Sequence, residues 1–481
     1  MPTTGQVTLL QLNDTHAYLE AHPEVFWEGE GPTFRKTGGY ARIAGLADQL
    51  RSDSGDRALL LDCGDTFHGT APAMKTRGAA LVPVLNALGV RAMTAHWDFA
   101  YGPERLSELA SMLDFPVLAA NCRDRATGRR PFPGSNLIET PDLTVGVVGI
   151  AATILDKTMP PWFAGGLSFT NGIEELPVEI NELRDGGADL VVVISHLGLP
   201  QDVRLASLVQ GIDVLLSGHT HHRLETPLRV NGALVIQSGV HGSFVGRLDL
   251  QVGDGRVSRY SHRLIEVNDH CPEDGAVGAL VEKAVAPFRD ELGVVVGETA
   301  VPLFRGGMFG SSMDDLLLEA IRAVGGTDLA FSNGWRYGAP VLPGPVTRND
   351  LYDIIPMDPP VMTVVLSGVE VLRMIEENLE RTFSCDPFGQ MGGYVKRIAG
   401  LTCYVKIENP PGSRIQACWA GLHRIDPARR YRTSFVTVQG VPDRIGSDRE
   451  DTGVGAHEAI TRLLTDGSPY HGGTPAAFHV L

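Results

Sequence analysis

Val7-Thr8-Leu9-Leu10-Gln11-Leu12-Asn13-Asp14-Thr15-His16 is a strand-length, mostly apolar run that stops at residues able to bind a cation. The same event recurs along the first half of the chain. Ala58 to Leu61 leads into Asp62-Cys63-Gly64-Asp65, Val191 to Ser195 into His196, and Val214 to Ser217 into Gly218-His219-Thr220-His221. An open α/β sheet binds ligands in the crevice beyond the carboxyl ends of its strands, so repeated delivery of Asp and His to that edge predicts one site. Carboxylate oxygens and imidazole nitrogens suit manganese, zinc or iron. A carboxylate such as Asp65, between histidine-bearing loops, can bridge two ions, and ions about 3.5–4 Å apart can activate a water and clamp the group it attacks. In an extended H-x-H segment, His219 and His221 face the same side. Taken singly, each residue has a plainer role, Asp14 as a turn or helix cap and each histidine as a core or surface side chain. Their joint placement at strand ends is what argues for a metal centre.

Outward from these loops the fold class follows. Further strand-sized apolar runs stand at Val117 to Ala120, Val145 to Ile150 and Leu234 to Gln237, and stretches of helical period at Tyr40 to Arg51, Ala79 to Leu88 and Ile173 to Leu183. Buried strands between helical layers make an α/β domain. From Glu273 to Leu292 the chain reads as one helix bridging two domains. Beyond it the pattern is mixed α+β, with helices at Met313 to Val324 and Gly368 to Thr382 and strands near Val361 to Leu366 and Leu401 to Ile407. The expected division is 1–270 for the α/β domain, 271–294 for the linker helix and 295–481 for the α+β domain. A chain of 481 residues is long enough for two cores. Its 43% apolar and 20% charged composition is that of a folded globular protein.

A net charge of -16 opposes binding to nucleic-acid backbones or anionic bilayers, while a small anion is admissible where a metal or arginine offsets the field. The six cysteines lie far apart without C-x-x-C spacing, so free thiols in a reducing compartment are the simpler expectation. Met1 to Leu10 lacks the features of an export signal, and no uncharged apolar run reaches the roughly 18 residues of a spanning helix. As written, the chain is expected in the cytoplasm; a trimmed mature form would belong to the periplasm or the exterior.

Asn13-Asp14-Thr15-His16, Gly64-Asp65, Ser195-His196 and Gly218-His219-Thr220-His221 resemble the calcineurin-like metallophosphoesterase domain of the 5'-nucleotidase family. Ser332-Asn333-Gly334-Trp335-Arg336, Leu342-Pro343-Gly344-Pro345-Val346-Thr347 and Leu366-Ser367-Gly368 resemble the substrate-binding domain this family carries at its C-terminus. The resemblance implies a four-layer-type α/β metallophosphoesterase domain, an α+β substrate domain, and two divalent ions, manganese foremost. One segment departs from the family. Where nucleotidases have Gly-Asn-His-Glu-Phe-Asp-Tyr-Gly, this chain has Ala95-His96-Trp97-Asp98-Phe99-Ala100-Tyr101-Gly102. Aligned without gaps, His96 replaces the metal-binding Asn, Trp97 the catalytic His, and Ala100 the Asp that orients that His. No catalytic side chain is therefore assigned. The ligand set implied is Asp14, His16, Asp65, His96, His196, His219 and His221.

The His-Trp-acid-Phe segment and Cys385-Asp386-Pro387-Phe388-Gly389-Gln390-Met391-Gly392-Gly393 are similar to the SoxB thiosulfohydrolase branch of the family. That branch hydrolyses a sulfonate from a carrier-protein cysteine outside the cytoplasm, so the implied partner is a sulfur-carrier cysteine or a small anion. Loss of a general acid costs a phosphomonoesterase about 10²–10⁴ in rate, whereas a sulfur leaving group needs no such help. Alternatively the acid comes from His68 or His241, the latter read as an exposed loop histidine, and the enzyme is a 5'-nucleotidase or cyclic-nucleotide phosphodiesterase. A third reading is a metal-dependent module that binds an anion or peptide without turnover. On the substrate side the resemblance points to Asn333 and Arg336, whose guanidinium fork suits phosphate or sulfonate, with Phe388 and Tyr394 flanking a glycine-rich loop.

Overall fold

The computed structural model describes residues 4–253, 255–465, 468–473 and 476–481. The chain forms two compact units, Met1–Glu24 with Arg35–Phe288, and Val25–Phe34 with Arg289–Leu481.

The first unit holds two mixed sheets. One runs in the order Arg256–Glu266, Phe244–Gly253, Thr4–Leu12, Ala58–Asp62, Val90–Met93; the other Leu228–Val230, Ala233–Ile236, Val214–Ser217, Leu190–Ser195, Thr144–Ile150, Ser135–Glu139. Alternate side chains set the packing. Val7, Leu9, Leu59 and Leu61 of the first sheet share one core with Val145, Val147, Val192, Ile194, Val214 and Leu216 of the second. Each fully buried aliphatic side chain there contributes about 1.5–3 kcal/mol. The opposite faces are buried too, by Tyr40–Ser54 against the first sheet and by Glu175–Asp185 and Leu199–Leu208 against the second. The result is a helix–sheet–sheet–helix sandwich, the four-layer arrangement expected.

Register brings the strand ends level. Leu12 pairs with Asp62, Asp62 with Met93, and Ser195 with Ser217, all in parallel ladders. The loops carrying Asp14, Asp65 and His96 therefore leave one sheet at one edge, and those carrying His196 and His219 leave the other. Gln11 Nε2 donates to Ser217 O at 2.8 Å, tying the two edges together inside the sandwich.

In the second unit the sheet order is Tyr394–Ala399, Leu329–Gly334, Arg430–Phe435, Pro360–Ser367, Ser447–Gly455, with a smaller sheet His423–Arg424, Ile415–Ala420, Leu401–Val405, Phe478–Val480. Helix Ser312–Gly325 begins at Ser311, whose hydroxyl accepts from Asp314 N, and stops at Gly326 in the left-handed region. Helix Gly368–Phe383 starts with a capping box between Ser367 and Glu370 and buries Val371, Met374, Ile375 and Leu379 at helical spacing. Trp27 and Phe34 of the hairpin His22–Glu28/Gly31–Thr37 place their rings 6.2 and 5.4 Å from that of Phe304.

The structure revises several expectations. The single helix over 273–292 is broken: Gly275–Val285 is α-helical, Ala286–Phe288 a 3-10 turn and Arg289–Leu292 a short helix, because Pro287 lacks the N–H that would continue the ladder. Its main helix packs on Tyr40–Ser54 and Val82–Leu88 as part of the first unit, so 271–294 is no free linker, and 25–34 leaves the expected first domain. Val117 to Ala120 forms no ladder; its N–H groups go to Met93, Pro133 and Gly149 in turn, with only an isolated bridge to Met93. Ala79 to Leu88 splits into Ala79–Leu81 and Val82–Leu88 around Pro83. Among the described residues no helix is long and apolar enough to cross a membrane.

Candidate metal centre

Asp14, His16 and His221 form one cluster and Asp65, His96, His196 and His219 another, the donor atoms of each lying within 4.8 Å of one another. The two adjoin through the carboxylates. Asp65 Oδ2 lies 3.2 Å from His196 Nε2 and 3.8 Å from His16 Nε2, and Asp14 Oδ1 lies 3.2 Å from His221 Nε2 and 3.6 Å from His196 Nε2. His96 Nδ1 is 3.2 Å from Asp65 Oδ1. Each metal-ligand candidate named from the sequence thus falls in one of two touching groups, with Asp65 between them.

The side chains fit divalent cations. His96 Nε2 and His196 Nε2 are buried and make no hydrogen bond, an expensive state for a polar atom unless something takes up its lone pair. The hydrogen bond of His196 Nδ1 with Cys63 O, 2.5 Å, turns Nε2 to the carboxylates, the outer support typical of a ligating imidazole. Burial alone raises carboxyl pKa values, but the histidines, His196 first, outweigh it: Asp65 is held well below the ordinary range and Asp14 is lowered. Conversely, burial disfavours a charged His196, yet Asp65 and Asp14 lift it to about 10.

The loops are held in unusual backbone. Asp14, His16, Asp65, His219 and His221 have φ of 51°, 48°, 57°, 71° and 59°. Non-glycine residues there are strained by about 1–3 kcal/mol each and persist where their surroundings over-determine them. Those surroundings are visible. Asn13 Nδ2 and His219 N donate to Asp14 Oδ2 at 2.9 and 2.8 Å. At Gly218 a Cβ would meet His196 Nδ1 at 3.0 Å and Asp14 Oδ2 at 3.2 Å, so a side chain there would press on two of the ligand residues. Asp98 joins two ligand loops: Oδ2 accepts from Asp65 N and His96 N at 3.0 Å, and Oδ1 from Thr66 N and Phe67 N at 2.9 Å.

Where nucleotidases have their dyad, Trp97 is buried with its ring 5.6 Å from that of His16 and 4.8 Å from that of His68, and its backbone N–H donates to Asp65 Oδ1 at 2.6 Å. His68 is buried and neither ring nitrogen has a hydrogen-bond partner, so no carboxylate orients it. His241 corrects the expectation of an exposed loop residue. It is 3% exposed, because its backbone N donates to Asp14 O and its Nδ1 lies 3.0 Å from Glu24 Oε2. Its ring stands 5.9 Å from that of His16 and 6.2 Å from that of His221. His22, Glu24 and His241 make a third buried His/Glu group beside the other two. The sequence reading missed Glu24, His22 and the anchoring role of Asp98. The acid in His-Trp-acid-Phe was a signal for Asp98; nothing local marks Glu24.

In the second unit, Asn333, Arg336 and Tyr394 are neighbours. Arg336 Nη2 donates to Gly393 O at 3.1 Å, its guanidinium stands 5.3 Å from the Tyr394 ring centre, and Gly334 pairs with Tyr394 across the sheet. Phe388 is half-buried on the separate turn Pro387–Gly389.

Residues 274–437 match the family model of the 5'-nucleotidase C-terminal domain. A snake venom 5'-nucleotidase of Gloydius brevicauda is 25% identical over 455 residues, covering 85% of this chain and 75% of that one. A trifunctional nucleotide phosphoesterase of Bacillus subtilis is 22% identical over 85% of this chain, which spans only 30% of that protein's length. The solved structure of the Thermus thermophilus sulfate thiohydrolase SoxB, with glycerol, superposes with a TM-score of 0.91 at 26% identity, covering 99% of this chain and 97% of that one. Sandwich, candidate clusters and second unit together correspond to the two-domain fold of the SoxB and 5'-nucleotidase structures. Over most of its length the chain is similar to 5'-nucleotidases, and its residues 274–437 match the C-terminal domain of that family.

Proposed function

We propose that this hydrolase is SoxB-like: with two divalent ions, manganese foremost and zinc or iron also suited, it cleaves a sulfonate from a thiol or opens an ester whose leaving group needs no proton. Bound at the two clusters, the ions would supply Lewis acidity and a nucleophilic water. The remaining work falls to the chain. Asp65 and Asp14 hold the centre's negative charge, Asp98 fixes the Asp65 and His96 loops, and the Trp97 indole excludes water beside His16 while offering no titratable proton. Expelling an alkoxide calls for a general acid worth about 10²–10⁴ in rate, whereas a thiolate departs unaided. The observation that carries this reading is the Trp97 ring packed on His16 and His68, together with Ala100 at the sequence position where nucleotidases have the Asp that orients their catalytic histidine. Likeness to the SoxB structure supports it. Asn333, Arg336, Phe388 and Tyr394 are the proposed substrate-recognising side chains. The proposed partner is a small anion or a carrier-protein cysteine, with no nucleic acid or membrane surface.

One observation favours a second reading. The His241–Glu24 pair, beside His16 and His221, has the composition of an acid/base dyad drawn from other loops, which would restore nucleotidase or cyclic phosphodiesterase chemistry. Manganese-loaded protein assayed on S-sulfocysteine, AMP, a cyclic nucleotide and an aryl phosphate separates the two. AMP turnover more efficient than that of S-sulfocysteine and aryl phosphate would overturn the first reading; binding of all four without product would reduce the protein to a recognition module.

A further inference from the structure

Cys403 lies on strand Leu401–Val405 and Cys418 on Ile415–Ala420, directly opposite each other in an antiparallel ladder. Their outward hydrogen bonds define the kind of pair they make. Cys403 N donates to Ala477 O on one side, and Cys418 O accepts from Ile425 N on the other. Neither group serves the facing cysteine, so this is a non-hydrogen-bonded position, where Cα atoms approach to about 4.5 Å and side chains come closest. That spacing lies within the range disulfides span. The two Sγ atoms stand 3.0 Å apart, inside the separation at which non-bonded sulfurs rest, and both side chains are buried in the core of the second unit. The other cysteines, Cys63, Cys122, Cys271 and Cys385, are on different elements or loops.

We propose that Cys403 and Cys418 are a disulfide-forming pair that cross-links these two strands, in place of the free thiols expected from sequence spacing. The oxidant is a glutathione-type or protein disulfide. One cysteine thiolate attacks it, forming a mixed disulfide and releasing a thiol; the second cysteine displaces the remaining thiol. One S–S bond forms within the chain, one in the oxidant is broken, and two thiols leave with the two protons. Since neither sulfur is exposed in the finished fold, the exchange takes place while the small sheet assembles. The pair fits a chain that matures in an oxidising compartment.

The test is non-reducing peptide mapping of the full chain, both secreted into the oxidising periplasm of a bacterial host and refolded in a glutathione/glutathione-disulfide buffer, each alkylated under denaturing conditions. The expected product is one linked peptide pair carrying Cys403 and Cys418, two hydrogens lighter than the separate peptides, with the other cysteines alkylated. Reduction should lower the melting temperature of the parent protein and leave that of C403A/C418A unchanged. Alkylation of both Cys403 and Cys418 in both preparations would overturn the proposal, as would linkage of either one to another cysteine.

Discussion

Replacing Asp65 with Asn should abolish occupancy of both ion positions while leaving the fold in place. The substitution is nearly isosteric, and the oxygen that accepts the Trp97 backbone N–H at 2.6 Å is retained. What disappears is a full negative charge from a carboxylate that lies 3.2 Å from His196 Nε2, 3.2 Å from His96 Nδ1 and 3.8 Å from His16 Nε2. Unit charges 4 Å apart interact by about 4 kcal/mol at an effective dielectric of 20, so a divalent ion loses about 8 kcal/mol. If the amide dipole and easier desolvation restore half of that, about 4 kcal/mol is lost per ion, close to 10³-fold in affinity. Metal analysis of dialysed protein, with manganese titration calorimetry, measures this directly, and unchanged circular dichroism guards against unfolding. Two equivalents of metal retained with affinities within tenfold of the parent would show that Asp65 does not join the clusters.

Trp97→His with Ala100→Asp should raise phosphomonoesterase activity by up to about 10²–10⁴; an unchanged rate on AMP would mean that the missing dyad does not limit that reaction. Asp98→Ala strips the acceptor from the N–H groups of Asp65, Thr66, Phe67 and His96, and at about 1–3 kcal/mol per buried unsatisfied group should destabilise the chain by more than 3 kcal/mol, read by urea denaturation. Burial raises the pKa of Glu24, but the hydrogen bond and charge of His241 and then the charge of Arg223 outweigh it, bringing the value from 4.5 to about 2. The stabilisation from ionised Glu24 is therefore complete above pH 4.5 and lost as pH falls toward 2. The parent should lose about 2 kcal/mol more than Glu24→Gln between pH 5 and pH 3, and parallel stability curves would refute the assignment.

Legibility from sequence tracked the distance over which each feature is encoded. The ligands stand one to four residues beyond strand ends, and parallel register converts that local fact into convergence: once Leu12 is level with Asp62, and Ser195 with Ser217, the Asp and His side chains meet. The α/β class was readable for the same reason, since strands buried on both faces need helices outside, whereas the division into two stacked sheets followed only from the resemblance to the 5'-nucleotidase family. Glu24 and His241 are different. They meet across 217 positions, and Glu24 sits on a hairpin with no motif of its own, so nothing local distinguishes it from a solvated acid. His241 was misjudged because a histidine after Ser-Gly is usually exposed; here its backbone N–H is drawn to Asp14 O, which carries the ring inward. The broken helix after residue 273 turned on Pro287 overriding an otherwise regular apolar stripe.

The left-handed backbone at Asp14, His16, Asp65, His219 and His221 bears on how the centre is made. Strain of about 1–3 kcal/mol at each of these residues could not persist in loops that waited for an ion to order them. Here the loops are already fixed by chain contacts: Asn13 and His219 N on Asp14, Asp98 on the Asp65 and His96 turns, and Cys63 O on His196. The chain's own contacts thus hold the ligands, and with His196 raised to about 10 by Asp65 and Asp14 a proton is expected on it when no ion is bound. A cation binding to His196 must displace that proton, so below about pH 10 apparent metal affinity should climb with pH as ligand deprotonation requires. The expected signature is proton release on manganese loading, measured as a buffer-dependent heat, and its loss in His196→Ala.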